Sequence, residues 1–499
     1  MFKKFVNWIR QVIDRMVKTS TIENKINIKP TMSDDMSQAI ERWFTMYSSK
    51  SYWLQNNNQS LGLPQAIAEE LSRQVTLEMQ VNINEKSASD KEVSTKEVKT
   101  ATMASFLAKQ LEPVLSKIRV EMEYCCVGGG LVLKPYCDGE RICVDYVKAN
   151  EFIPLAFNGR KEITSAAFIE EKREGSKKFT RLEIHTLTEN DYVVQNKAYL
   201  SYFEDDIGNE CPLDMVDEWK SLQPETHIEN VKDPLFGYVA IPKGNTIDPN
   251  SPLGVSVYAN AENLIRDADQ QYQRFLWEYE GGELAIDASV DAFDTDDSGE
   301  PVLPSGKERL FRNNSLDSAT TSGGDLFKIF SPQLRDSSYW NGLNKILQRI
   351  EDKCGLARGT FSDVTSDAKT ATEVRTTKQR SAATVTDIQM ALQSALDNLI
   401  YAISVYAQLY KLAPAGEYDV AYRWDDSIVV DSEAERIRDM QEVTNGLMLA
   451  WEYRKKWYGE DEATAKKRVK ELEGADDVDP DDDDDDDGDS EKNIEKQEE

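Results

Sequence analysis

Hydrophobic residues recur in this chain with two periods, and the period switches along its length. Residues 2–18, FKKFVNWIRQVIDRMVK, place Phe2, Phe5, Ile9, Val12 and Met16 on one helical face, with Lys and Arg elsewhere. Such a face suits either a helix on a membrane surface or one packed on the body of the protein. MSDDMSQAIERWFTMYSSKSYWL predicts a second helix. Ser33 or Asp34 caps it, and Met36, Ile40, Trp43, Phe44 and Tyr47 follow at helical spacing. LPQAIAEELSRQVTLEMQVNI reads as a helix running into a strand, and the polar residues 84–101 as an exposed loop. Residues 102–124 return to helical spacing through Phe106, Leu107, Leu111, Leu115 and Ile118.

From Gly128 to about Asn245 the pattern becomes strand-like. LVLKPY, ICVDYV, FIPLAF, AAFIEEKR, RLEIHTLT, YVVQNKAYL and PLFGYVAIP predict consecutive strands and hairpins. The GGG at 128–130 reads as a hairpin or close-packing turn. NTIDPNSPLG (245–254) is a loop opening a helix from about Ser256 to Tyr279, lined by Val257, Ala261, Leu264, Ala268, Tyr272, Phe275 and Tyr279. Residues 281–336 break into short strands and turns, a small α+β insert. Helical spacing resumes over 337–356, with Leu343, Ile346, Leu347, Ile350 and Cys354 as the apolar face. On that helix Lys345, Arg349 and Lys353 fall at i, i+4 and i+8 and make one basic stripe. ARGTFSDVTSDAK (357–369) is a loop of Gly, Ser, Thr and Asp.

A very long helix follows over 370–412, about 64 Å at 1.5 Å per residue, closed by Pro414. Its first half is polar and locally basic, and its second half is nearly all apolar, so one end is buried and the other projects toward something polar. Thr370 with Glu373 suggests a capping box. Residues 417–431 add a strand or two. Two amphipathic helices then follow, separated by Gly459. The last 26 residues hold eleven Asp and four Glu against two Lys and are expected to stay disordered.

At 499 residues the chain is long enough for two or three packed units, and 40% hydrophobic residues suffice for real cores. The formal net charge of −31 argues against tight binding of a phosphate backbone, although an acidic surface also suits DNA that must slide without adhering. The six cysteines form no CxxC pair and read as buried reduced thiols. No apolar run approaches the roughly 20 residues of a membrane span, and no signal peptide is visible, so a cytosolic protein is expected.

Candidate chemistry is sparse. With only His185 and His227, a Ser-His, Cys-His or His-metal centre is hard to assemble. Neither GxxxxGK[ST] nor GxGxxG occurs, so neither nucleotide-loop motif is present. Asp294, Asp296 and Asp297 invite comparison with a two-metal nuclease, but their Gly/Ser/Asp setting equally describes a solvated turn. No catalytic set, cofactor site or metal site is predicted, and the basic stripe alone reads as either a solvated face or a binding face.

The order of the parts is more informative than any one of them. Several segments carry a family resemblance, in sequence: MSQAIERWFTMYSSKSYW, VEMEYCCVGGGLVLKPYCDGERICVDYVKANEFIPLAFNGRKE, NSPLGVSVYANAENLIRDADQQY, GTFSDVTSDAKTATEV and DDSIVVDSEAERIRDMQEVTNGLM. Together, over about residues 5–475, the chain resembles the portal proteins of tailed bacteriophages, of the kind found in long-tailed phages of Gram-positive hosts. The resemblance implies an α+β portal architecture assembled into a ring of twelve at one capsid vertex. It implies a wing over 1–245 and 370–430, the latter holding the long helix and return strands. A first stem region would span 246–280, a clip 281–336, a second stem helix 337–356, a tunnel loop 357–369 and a helical crown 431–473. The 84–101 loop and the acidic tail 474–499 have no counterpart in that scheme.

The implied function is non-enzymatic and needs no cofactor. Double-stranded DNA would pass the central channel without sequence readout, driven in by a terminase and later ejected. The ring would also be the head-to-tail connection point. Partners would be the terminase, the major capsid and scaffolding proteins and a head-tail adaptor, with assembly in the bacterial cytoplasm and no membrane contact. Lys345, Arg349 and Lys353 would line the channel or face a neighbouring subunit. Gly359, Thr360, Ser362, Asp363, Thr365, Ser366 and Asp367 would belong to the tunnel loop. The rival readings are a metal-dependent DNA enzyme and a peripheral scaffold protein.

Overall fold

A computed structural model describes residues 25, 28, 30–54, 59–77, 79–86, 102–139, 141–189, 191–203, 206–289, 302, 311–314, 327–363, 371–424, 432–458, 460 and 462–473. The 2–18 helix, residues 87–101 of the polar loop, Asp294, Asp296, Asp297, Thr365, Ser366, Asp367 and the acidic tail lie outside them. The chain divides into two compact units, residues 1–425 and 426–499.

In the first unit, helices α1 (Asp34–Tyr47), α2 (Leu63–Thr76) and α3 (Met103–Gly128) surround the largest core. Ser33 caps α1 by accepting from the Met36 amide at 3.2 Å, and Trp43 is wholly buried. Thr102 and Ser105 form a reciprocal capping box on α3. Of the two readings of the glycine run after α3, the close-packing turn holds and the hairpin does not. Gly128 is the last residue of the helix, Gly129 caps it, and Gly130 begins strand β2 (Gly130–Asp138). Gly129 has φ +83°, and a Cβ there would lie 2.5 Å from the Val255 carbonyl carbon, so both conformation and space require glycine.

Strand β2 lies between β3 (Arg141–Lys148) and β10 (Gly237–Ala240) in an antiparallel sheet. A larger sheet runs β4 (Phe152–Phe157), β5 (Ile163–Glu174), β6 (Lys177–Leu187), β7 (Asp191–Ser201) and β8 (Asn209–Cys211), with β9 (Glu225–Glu229) also pairing β7. Strand β1 (Gln80–Glu85) pairs antiparallel with β14 (Tyr418–Arg423), so the chain returns to its starting region after more than 300 residues.

Helix α4 (Glu262–Gly281) starts later than the apolar periodicity suggested, because a 3-10 turn at Ala259–Ala261 precedes it. Three of its carboxylates fix its position. Glu262 accepts from the Trp43 indole and pairs with Arg42, buried Asp269 accepts from the Trp53 indole and the Leu61 amide, and Glu278 accepts from the Arg335 backbone and guanidinium. Beyond α4, β11 (Ala285–Ser289) pairs in parallel with β12 (Phe311–Asn314) and antiparallel with β13 (Phe327–Phe330). Helix α5 (Asp336–Cys354) packs back along α4.

Helix α6 spans Ala371–Leu409, 39 residues. Its second half is buried through Val385, Ile388, Leu392, Leu396, Leu399 and Ile403. Strand β10 approaches it so closely that a Cβ on Gly237 would meet the Ala395 carbonyl oxygen at 2.1 Å.

The second unit contains three described helices rather than two: α7 (Ser432–Thr444), α8 (Ala450–Tyr458) and α9 (Glu462–Glu473). The added break falls at Gly446, whose φ of +70° turns the chain out of the helix. Asp439 on α7 accepts from the Trp457 indole at 2.8 Å and pairs with Lys456 of α8.

Candidate functional site

The site is built where α5 ends. Leu343, Leu347, Glu351 and Cys354 share its inward face, and all four are buried. A buried carboxylate on an otherwise apolar face needs donors, and the chain immediately after the helix supplies them. Glu351 Oε1 accepts from the amides of Phe361 at 2.6 Å and Ser362 at 2.8 Å. Its Oε2 accepts from the Ser362 hydroxyl at 2.7 Å and the Gly359 amide at 3.2 Å. The loop from 357 therefore folds back over the helix that it has just left.

Two contacts extend this return path along α5. The Trp340 indole donates to Asp363 Oδ2 at 2.7 Å, and Asn344 exchanges hydrogen bonds with the Asp363 backbone in both directions. Gly355 makes the reversal possible. It sits at φ +79°, and a Cβ there would press on Thr384 of α6 at 2.3 Å. From the opposite side Lys243 donates to the carbonyls of Val257, Lys353 and Cys354, which ties the last turn of α5 to the lead-in of α4. Burial lowers the Lys243 pKa and raises the flanking thiols of Cys126 and Cys354 to about 12.

Next to Glu351, Asp352 collects three guanidinium groups from three elements. Arg358 of the loop makes a bidentate pair at 3.1 and 2.8 Å, Arg380 of α6 donates at 3.0 Å, and Arg349 of α5 lies at 3.9 Å. The Arg358 hydrogen bonds first, with Arg380 and Arg349 adding, hold the Asp352 carboxyl below its ordinary range.

The three stripe residues Lys345, Arg349 and Lys353 are all exposed, and Lys345 and Lys353 make no ion pair with any described residue. Of the loop residues singled out from sequence, Gly359 and Ser362 contact Glu351. Thr360 closes a turn onto the Ala357 carbonyl, and Asp363 is held by α5. Sequence reasoning missed Glu351, Asp352, Arg358 and Arg380 as site residues. The available signal was a carboxylate at i+8 from Leu343, on the apolar face, followed by a donor-rich Gly-Thr-Phe-Ser loop.

A second polar cluster joins Lys134 of β2 to residues of the larger sheet, beside a cleft of about 700 Å³. Lys134 reaches Glu183 at 2.6 Å, Arg181 reaches Glu183 at 3.1 Å and Glu170 at 2.7 Å, and His185 bridges Glu183 and Tyr192 at 2.8 Å each. These charges satisfy one another. Among the described residues no group of three His, Cys, Asp or Glu side chains is placed to hold a metal ion, and no helix is long and apolar enough to cross a membrane.

The described residues thus combine two helices on either side of a small sheet, a loop folded back on the second of them and a 39-residue helix. Residues 116–491 match the family described as phage portal protein, SPP1 Gp6-like, and the chain belongs to that family. Portal proteins are structural components of the virion. No curated protein matches the chain. Among solved structures it is similar to a chain of the virion of a native gene transfer agent particle, at 9% identity and TM-score 0.43, covering 85% of this chain and 93% of that one. It is also similar to a chain of the neck of such a particle computed with C12 symmetry, at 9% identity and TM-score 0.36, covering 79% and 89%.

Proposed function

We propose that this chain is the subunit of a ring, of twelve copies, that forms the DNA channel at one capsid vertex. Double-stranded DNA is driven in through the channel by a terminase and later leaves by the same route, and the ring also joins head to tail. Residues 1–245 and 370–430 form the wing, 246–280 and 337–356 the stem, 281–336 the clip, 357–369 the tunnel loop and 431–473 the crown. The partners are the terminase, the capsid and scaffolding proteins and a head-tail adaptor, and assembly takes place in the host cytoplasm.

The observation that carries this reading is the anchoring of 357–363 on α5 by buried Glu351, beside an exposed helix face with Lys345, Arg349 and Lys353. A loop fixed to a stem helix holds a constriction at constant geometry. A basic face in a chain of net charge −31 guides phosphate without a uniformly adhesive wall. No base readout is needed, since a conduit must accept every sequence.

Negative-stain imaging of the purified full chain is the direct test. Rings with a central hole are expected, and a protein that stays monomeric at high concentration overturns the reading. Lys345→Glu with Arg349→Glu is expected to leave rings intact while impairing packaging. Failure of the rings to form would move these residues to a subunit interface.

A further inference from the structure

The convergence of Arg349, Arg358 and Arg380 on Asp352 has no counterpart elsewhere among the described residues. Glu183 buries its partners Lys134, Arg181 and His185, and Glu460 draws on only two guanidinium groups, Arg454 and Arg468. Here one carboxylate, with its side chain 18% exposed, faces three guanidinium groups whose side chains remain 73%, 51% and 59% exposed. Positive charge is therefore left over, and it points to solvent. Lys345 and Lys353 on the same stretch of α5 add to the surplus.

We propose that these three arginines form a phosphate-binding point for double-stranded nucleic acid, and that Asp352 is its built-in attenuator. The proposal rests on the conduit reading above and adds to it Arg358 and Arg380, which lie off the helical stripe, and an acidic residue whose role is to weaken the grip. Guanidinium groups suit a phosphodiester because each offers paired N–H donors to two oxygens. Asp352 already occupies Nε and Nη2 of Arg358 and Nη1 of Arg380. A passing phosphate thus finds only the remaining donors and competes with an intramolecular partner for the rest. The phosphate is engaged without conformational search, because the carboxylate prepositions the arginines, and it is released readily, because the carboxylate takes them back. A channel that must let DNA slide in both directions needs both properties.

The test uses assembled full-length protein and a random-sequence 30-base-pair duplex, with binding followed by fluorescence anisotropy across a salt series. Arg358→Gln and Arg380→Gln are each expected to flatten the slope of log affinity against log salt by about 0.9 for every phosphate no longer engaged. Asp352→Asn is expected to raise affinity at low salt about threefold, the effect of removing one like charge about 7 Å from a phosphate in a water-like dielectric. Arg380→Lys should keep the wild-type slope, because the charge remains. Sedimentation of each variant reports whether the ring is intact.

Intact rings with unchanged slope in both Gln variants, or Asp352→Asn without a gain in affinity, overturn the proposal. If Lys345→Gln and Lys353→Gln still flatten the slope in that case, the conduit reading stands without the arginine cluster. Dissociation of the rings on Arg358→Gln or Arg380→Gln assigns the cluster to a contact between subunits and likewise overturns it. No salt-dependent duplex binding by the wild type overturns both the proposal and the α5 face as a channel wall.

Discussion

Removing the Glu351 carboxylate is expected to release the loop that follows α5 while leaving the helix in place. The geometry sets the size of the effect. Glu351→Ala orphans the amides of Phe361 and Ser362 and the Ser362 hydroxyl, three donors now held at 2.6–2.8 Å, while the Gly359 amide keeps Ser362 Oγ as an acceptor at 3.1 Å. A buried donor left without an acceptor costs about 1–3 kcal/mol, so three would exceed the stability of most local structure. The loop therefore detaches and hydrates its donors, and the cost is capped at its docking free energy.

Glu351→Gln is the finer perturbation. Its remaining oxygen can still accept from Phe361 and Ser362, but its amide nitrogen then confronts the Gly359 N–H, donor against donor. One broken bond and one conflict amount to about 1–3 kcal/mol, or roughly 5- to 150-fold in opening. Hydrogen exchange read by mass spectrometry over 357–363 is the assay. Glu351→Ala should bring these amides close to the rate of an unfolded peptide, Glu351→Gln should fall between, and the amides of α5 around Leu347 should keep their protection. Wild-type exchange in the loop as fast as in Glu351→Ala would refute the anchoring role.

Lys243→Met keeps the packing volume but leaves the carbonyls of Val257, Lys353 and Cys354 without their shared donor, and should destabilise the first unit by about 1–3 kcal/mol, measured by urea unfolding. His185 is held neutral: burial lowers its pKa despite Glu183, and its Nδ1 accepts from the Tyr192 hydroxyl while Nε2–H donates to Glu183. The unfolded chain takes up a proton there near the ordinary value of about 6.5 and the folded chain only lower. Its contribution to stability is therefore complete above that value and declines as pH falls below it, so the Tm advantage of wild type over His185→Gln should shrink from pH 7.5 to pH 5. A constant gap would refute this. Cys125, Cys126 and Cys354 are buried with raised pKa values, about 12 for the latter two, so a thiol reagent at pH 8 should leave all three unlabelled in the native protein and label them after unfolding.

Local chemistry was legible in the sequence wherever periodicity and caps decide structure. The helix start at Ser33 or Asp34, the buried face of α5, the apolar second half of α6 and the strand-rich middle all follow from residue spacing, because burial of one face is a local pattern. The basic stripe at 345, 349 and 353 is likewise a matter of 3.6 residues per turn. Where spacing left alternatives open or misled, a turn residue decided. The GGG run joins a helix to a strand because Val255 packs where a side chain would be, and the helices near the C-terminal end of the described residues are three because Gly446 takes a left-handed conformation.

The fates of Glu351 and Asp352 belong to the tertiary structure alone. In sequence they are adjacent acidic residues beside a basic stripe, equally readable as solvated companions. In the fold one turns inward to collect amides from 8 to 11 residues away, and the other turns toward arginines 6 and 28 residues away. A one-residue step along a helix rotates a side chain by about 100°. That rotation separates a loop anchor from the hub of a charged cluster, but what waits on each side is set by how the loop and α6 pack against α5. The need of a backbone amide for an acceptor leaves no mark on residue type, and for that reason only the packed structure reveals which carboxylate meets it.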